Sequence, residues 1–186
     1  MFFHGIAYRT FVDSIFELYD ESDIEDGDVF VSNHPYLAGM PHVSDMGFVA
    51  PIYANGRLIG FSASIAHKAD IGGTNPGSTS ANSTEIFHEG LLVPPVKYHR
   101  AGVLDADLLR VILGNSRHPD LVRGDIHAQV AATNMGVERM KEYTERFGGD
   151  IVIAAFDAIL NGAAEELRAA IAALPDGTSS AVGYMD

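Results

Sequence analysis

The chain has 186 residues and a formal net charge of −13, from 12 Lys and Arg against 25 Asp and Glu. That balance offers no basic stripe to neutralise phosphates and argues against a nucleic-acid partner. Apolar residues make up 47%, enough for the core of one ordinary domain, and the lack of cysteine excludes disulfides and thiolate metal sites.

The first residues lack a basic segment followed by an apolar one, and no run of about 18 apolar residues could span a membrane. A cytoplasmic location is therefore expected. Tyr8, Phe11, Val12, Ile15, Phe16 and Tyr19 recur at helical spacing and predict an amphipathic helix over 8–20 with its apolar face in the core. The acidic run 20–28 lacks the spaced ligands and terminal Glu of a calcium loop and reads as a solvated turn. A short strand is expected over 29–31, feeding a loop at Asn33.

Asn55-Gly56 then lies between two apolar runs, a strong hairpin signal because both turn residues tolerate positive φ. Strands are expected over roughly 45–54 and 57–65. Ile59, Phe61, Ala63 and Ile65 form the expected buried face, with the smaller Gly60, Ser62 and Ser64 opposite, where another layer or a ligand could come close. A strict two-residue turn pairs Ala54 with Arg57, Ile52 with Ile59 and Phe48 with Ala63. Continued to the open end, it pairs Asp45 with Ala66 and Ser44 with His67. His42, Asp45 and His67 thus meet at the hairpin mouth.

Two imidazoles and a carboxylate suit zinc, manganese or iron. Strict alternation, however, puts Asp45 and His67 on opposite faces. The site therefore requires a departure from regular strand geometry near Ser44. Pro41 favours an irregular entry, and a single turn over 42–45 would bring His42 and Asp45 to one side.

Asp70 lies three residues past His67, before two glycines. It is a candidate general base or a carboxylate orienting a ligand histidine; the alternative is a turn Asp capping its own backbone. The loop 72–80 is long, small and polar, without the Gly-Lys-Ser/Thr ending of a phosphate loop. His88 and Glu89 read as structural residues before an extended Pro-rich run.

The last third is helical. A short helix is expected over 105–113 and a long one over 119–147, stopped by Gly148-Gly149. A third, over about 150–174, begins at Asp150 as its cap. Apolar stripes on the two long helices, Val122 to Phe147 and Val152 to Leu174, predict an antiparallel helical hairpin. At 1.5 Å per residue the first of these is about 40 Å long, long enough for part of its stripe to serve sequence outside this chain or another subunit. The expected fold class is α+β: a mixed sheet containing the β-hairpin, then the helical hairpin. Residues 1–103 form the β-rich metal-site region and 104–186 the helical region, together one structural unit.

Several motifs occur in a specific order: Gly27-Asp28-Val29-Phe30, Asn33-His34-Pro35-Tyr36, His42-Val43-Ser44-Asp45, and Ala66-His67-Lys68-Ala69-Asp70-Ile71-Gly72-Gly73. They are followed by Pro76-Gly77-Ser78, Glu85-Ile86-Phe87-His88-Glu89-Gly90, Pro94-Pro95-Val96 and Arg123-Gly124-Asp125-Ile126-His127-Ala128-Gln129. In this order the chain resembles the hydantoinase B/oxoprolinase family, which includes N-methylhydantoinase, 5-oxoprolinase, caprolactamase and the acetone and acetophenone carboxylases. The resemblance implies His42, Asp45 and His67 as metal ligands, with a further carboxylate ligand from upstream that has no match here. The family often has Asp at the position of His34.

The resemblance also implies an inner portion of a longer protein. Its expected function is the metal-bearing part of a hydantoinase B-like subunit, opening a cyclic amide of the hydantoin or 5-oxoproline type. ATP would act only through a hydantoinase A-like partner, in an oligomer. The alternatives are a carboxylase subunit of the acetone/acetophenone type and a truncated, non-catalytic interaction module.

Overall fold

The computed structural model describes residues 5–78 and 80–184. Thr79, in the small polar loop, lies outside the described residues. The elements are helix α1 (Gly5–Leu18), strand β1 (Val29–Ser32), a one-turn helix α2 (Pro35–Ala38), strands β2 (Asp45–Ala54) and β3 (Arg57–His67), strands β4 (Val96–Arg100) and β5 (Val103–Leu104), and helices α3 (Ala106–Gly114), α4 (Pro119–Phe147) and α5 (Gly149–Ala172).

Among the described residues the strands form one sheet in the order β3-β2-β1-β4-β5, with every pairing antiparallel. The mixed sheet expected from sequence is therefore corrected to a purely antiparallel one. The physical reason is clearest in the hairpins β2–β3 and β4–β5, whose two-residue connections can join only antiparallel strands, because parallel neighbours need a crossover of a dozen or more residues.

The sheet is covered on both sides. Phe11 and Ile15 of α1 pack with Phe30, Val49 and Met40 on one face. Val31, Phe48 and Tyr98 pack with Ile112 of α3 and Val122, Ile126 and Val130 of α4 on the other. Alternate residues of β1 and β2 therefore enter different cores, which is why these strands read as nearly continuous apolar runs. A fully buried Phe or Ile contributes roughly 1.5–3 kcal/mol to such a core. The small face of β3 meets α4, as the sequence allowed. Ser62 Oγ donates to Thr133 O at 2.8 Å, and a Cβ on Gly136 would run into that same hydroxyl.

Two elements differ from the sequence reading. The run 20–28 is not solvated throughout: Asp28 is fully buried, its Oδ2 2.7 Å from the Nζ of the largely buried Lys97. And α4 and α5 do not form an antiparallel hairpin. They bend by 112° at Gly148. The stripe of α4 packs on the sheet from Val122 to Val137; only its last turns, with Met140 and Phe147, face α5, and Val152 is the one buried residue of α5. Asp150 lies in the first turn of α5 and pairs with Arg57 Nη2 at 2.7 Å instead of capping; Gly148 is the cap residue. Among the described residues no single helix is long and apolar enough to cross a membrane.

Candidate metal centre

Asn55 (φ 51°) and Gly56 (φ 76°) make the tight turn, and Ala54 pairs with Arg57 as expected. The register then shifts. Tyr53 pairs with Leu58 but Ile52 with Gly60, leaving Ile59 as the extra residue of a bulge. Ile59 accordingly leaves the face of Phe61, Ala63 and Ile65 and packs in the α4 core. Every pair beyond it moves by one residue, so Asp45 stands directly opposite His67. Two departures build the site: a bulge at Ile59, near the start of β3, and the turn expected near Ser44.

His42 reaches the same point through the single turn expected over 42–45. Asp45 N donates to His42 O at 3.1 Å, closing the turn. Asn33 fixes this turn from below. Its buried amide donates to Val43 O and Leu91 O, both at 2.8 Å, and accepts from Val93 N at 2.7 Å.

Asp45 Oδ1 lies 3.3 Å from His42 Nε2 and 3.3 Å from His67 Nδ1. The two rings are 5.0 Å apart at an interplanar angle of 51°. One ligand atom from each of the three residues falls within 4.8 Å of the others. The carboxylate is 5% exposed, the imidazoles 46% and 52%. The donor set fits a divalent metal: nitrogen and oxygen ligands, a sequestered anion, and an open outer side, the pattern of three protein ligands plus one free position. His34, where the family often has Asp, caps α2: its Nδ1 accepts from Leu37 N at 3.2 Å. An Asp there would accept the same bond.

Asp70 is not in this group. It is fully buried, and its oxygens accept from Gly72 N (3.0 Å), Gly77 N (2.8 Å), Arg117 N (2.9 Å) and Arg117 Nη1 (2.9 Å). Burial pushes its pKa up, but these bonds outweigh it and hold the carboxyl well below its usual range. The Gly72 bond is the local cap of a turn Asp, and Arg117 also donates to Gly72 O, Gly73 O and Asn75 O. These bonds favour a role in shaping the loop.

Sequence reasoning missed Lys68, Gln129 and Arg117. Lys68 is fully buried beside half-exposed His67, and desolvation lowers its pKa to about 8, with Asp125 and Asp45 opposing the shift. The available signal was a polar Gln129 on the core side of α4, one residue before Val130. Next to His42 lies a cleft of about 400 Å³, bounded by Tyr36 on one side and Ser83, Glu85 and Glu89 on the other.

The hydantoinase B/oxoprolinase family model matches residues 2–186. The B component of a provisionally named D-/L-hydantoinase of Pseudomonas sp. (strain NS671) is 38% identical over 161 residues, 86% of this chain and 27% of that protein. The beta chain of caprolactamase of Pseudomonas jessenii is 31% identical over 164 residues, 88% of this chain and 28% of that one. The crystal structure of ATP-dependent caprolactamase from Pseudomonas jessenii superposes with a TM-score of 0.84 at 29% identity, over 92% of this chain and 29% of that one. The chain thus spans about a quarter of the length of these two curated relatives. On this match over nearly its whole length, the chain belongs to the hydantoinase B/oxoprolinase family.

Proposed function

We propose that this chain is the metal-bearing part of a hydantoinase B-like subunit, which opens a cyclic amide of the hydantoin or 5-oxoproline type. The reaction is ATP-dependent and involves a hydantoinase A-like partner that handles the nucleotide. The observation that carries this reading is the convergence of His42, Asp45 and His67 on one point of an open surface. Supporting it, one relative is a caprolactamase component and the solved caprolactamase is ATP-dependent.

In this reading His42 and His67 supply neutral nitrogen ligands and Asp45 the anionic one. A zinc, manganese or iron ion held there would supply Lewis-acid chemistry, activation of water and polarisation of an oxygen. The chain's own contribution is placement. Asp45 is kept nearly dry and directly opposite His67, while both imidazoles are about half exposed on the open side that substrate would approach. The cleft beside His42 receives the ring, with Ser83 and Thr84 lining it for amide hydrogen bonding. Asp70 fixes the adjoining 70–78 loop through Arg117.

Elemental analysis of the chelator-washed chain beside His67→Ala tests this. The expected result is about one divalent metal per chain, lost in the variant. A wild-type chain that takes up no metal would overturn it. With metal shown, turnover of hydantoin or 5-oxoproline in the presence of ATP and the partner tests the reaction.

A further inference from the structure

Lys68 and Gln129 have no part in the ligand set, yet both are buried directly behind it. A lysine with no exposed surface is rare, because its ammonium must find partners away from water. Lys68 Nζ donates to Gln129 Oε1 and to Ala66 O, the latter at 3.1 Å. Gln129 reaches down from α4, and its Nε2 lies 3.1 Å from Met46 O, 3.4 Å from Ser64 O and 3.3 Å from Ser64 Oγ. The backbone of Lys68 donates to Ser44 O at 2.8 Å.

These partners bracket the ligands in sequence. Ser44 and Met46 flank Asp45; Ala66 and Lys68 flank His67. One glutamine and one lysine therefore tie the two ligand-bearing strands to each other and to a long helix. Hydrophobic packing would bury the same area, but it is non-directional and does not select one register at an open strand end.

We propose that Lys68 and Gln129 are positioning residues for the metal centre: a buried polar plug that holds Asp45 and His67 in ligand geometry. The proposal rests on the metal-centre reading above. Partners bonded directly to ligand side chains change metal affinity roughly 10–100-fold when removed, and a plug acting one step further out, through the flanking backbone, is expected at the lower end of that range.

The test is Lys68→Met combined with Gln129→Leu in the whole chain. Replacing both partners by apolar groups of similar shape removes the buried ammonium and its amide acceptor together, so neither is left stranded and the fold is expected to persist. Two quantities are read: zinc affinity, by competition with a chromophoric chelator, and the imidazole resonances of His42 and His67 in the metal-free chain. The expected outcome is a melting temperature close to wild type, displaced imidazole resonances, and zinc affinity lower by roughly tenfold or more. Unchanged resonances and affinity in the folded double variant would overturn the proposal and leave the metal centre standing. If the wild-type chain binds no zinc, the metal reading falls, and the metal-free resonances still decide whether the plug positions the rings. Should the double variant not fold, Gln129→Glu keeps the acceptor for Lys68 and removes the donors to Met46 and Ser64. The same loss of affinity and displaced resonances are expected, and wild-type values for both would overturn the proposal.

Discussion

At the scale of single residues, two buried carboxylates behave differently from what their sequence neighbourhoods suggest. Asp28 ends an acidic run, yet it accepts from Glu25 N and Ala101 N and pairs with Lys97. Lys97 in turn lies over the Tyr19 and Phe30 rings, at 5.8 Å from each. Removing one partner strands a charge in a dry site, so Lys97→Met is expected to destabilise the chain by roughly 3–5 kcal/mol, measured by denaturant unfolding. Asp70 is the second case. Its folded pKa lies below its unfolded one, so the unfolded state binds more protons in the window between the two values. Its contribution to stability is present above pH about 4 and is lost as pH falls toward the folded value. Asp70→Asn is expected to be less stable at neutral pH and to show a shallower loss on acidification, read from melting temperatures between pH 3 and 7. A variant with the wild-type acid profile would remove Asp70 from that role.

At the scale of elements, the decisive feature is one extra residue. A side-chain period of two means that a slip of one residue exchanges the faces of a strand. The bulge at Ile59 makes that slip and so converts a register that separates Asp45 from His67 into one that opposes them. Deletion of Ile59 removes the extra residue and leaves a regular ladder in which Asp45 still stands opposite His67. The expected outcome is a folded chain that keeps wild-type metal uptake, measured by the same elemental analysis, whereas deletion of Ala63, beyond the bulge, shifts His67 by one residue and lowers uptake to the level of His67→Ala. Wild-type uptake in the Ala63 deletion would show that the mouth finds its geometry without this register. Asn55-Gly56, the helix bounds 119–147 and the single turn at 42–45 were all legible, because each depends on neighbours within a few residues. The bulge was not: nothing local distinguishes Ile59 from Phe61, and its displacement is decided by the α4 core that receives it.

At the scale of the whole molecule, α5 stands apart. Ile151, Ile159, Leu160, Leu167 and Ile171 are each more than half exposed, and an apolar groove between α4 and α5 is lined by Met140, Tyr143, Phe147 and Phe156. Contiguous apolar surface of this kind binds hydrophobic dyes and drives association. Ile159→Glu with Leu167→Glu is expected to lower dye fluorescence severalfold without lowering the melting temperature, since neither side chain is buried in this chain. A fall in melting temperature would instead mean that α5 folds back on the body in solution.

The sequence by itself determined the local units: the turn, the α4 helix, the order of family motifs, and the presence of two imidazoles and a carboxylate at one hairpin end. Backbone propensity and short-range periodicity are enough for these. The tertiary structure decided the register that joins Asp45 to His67, the burial of Lys68, the use of Asp70 as a loop anchor, and the 112° divergence of α4 and α5. Each of these depends on which surface packs against which, and that competition for apolar area and hydrogen-bond partners has no signature within a short window of residues.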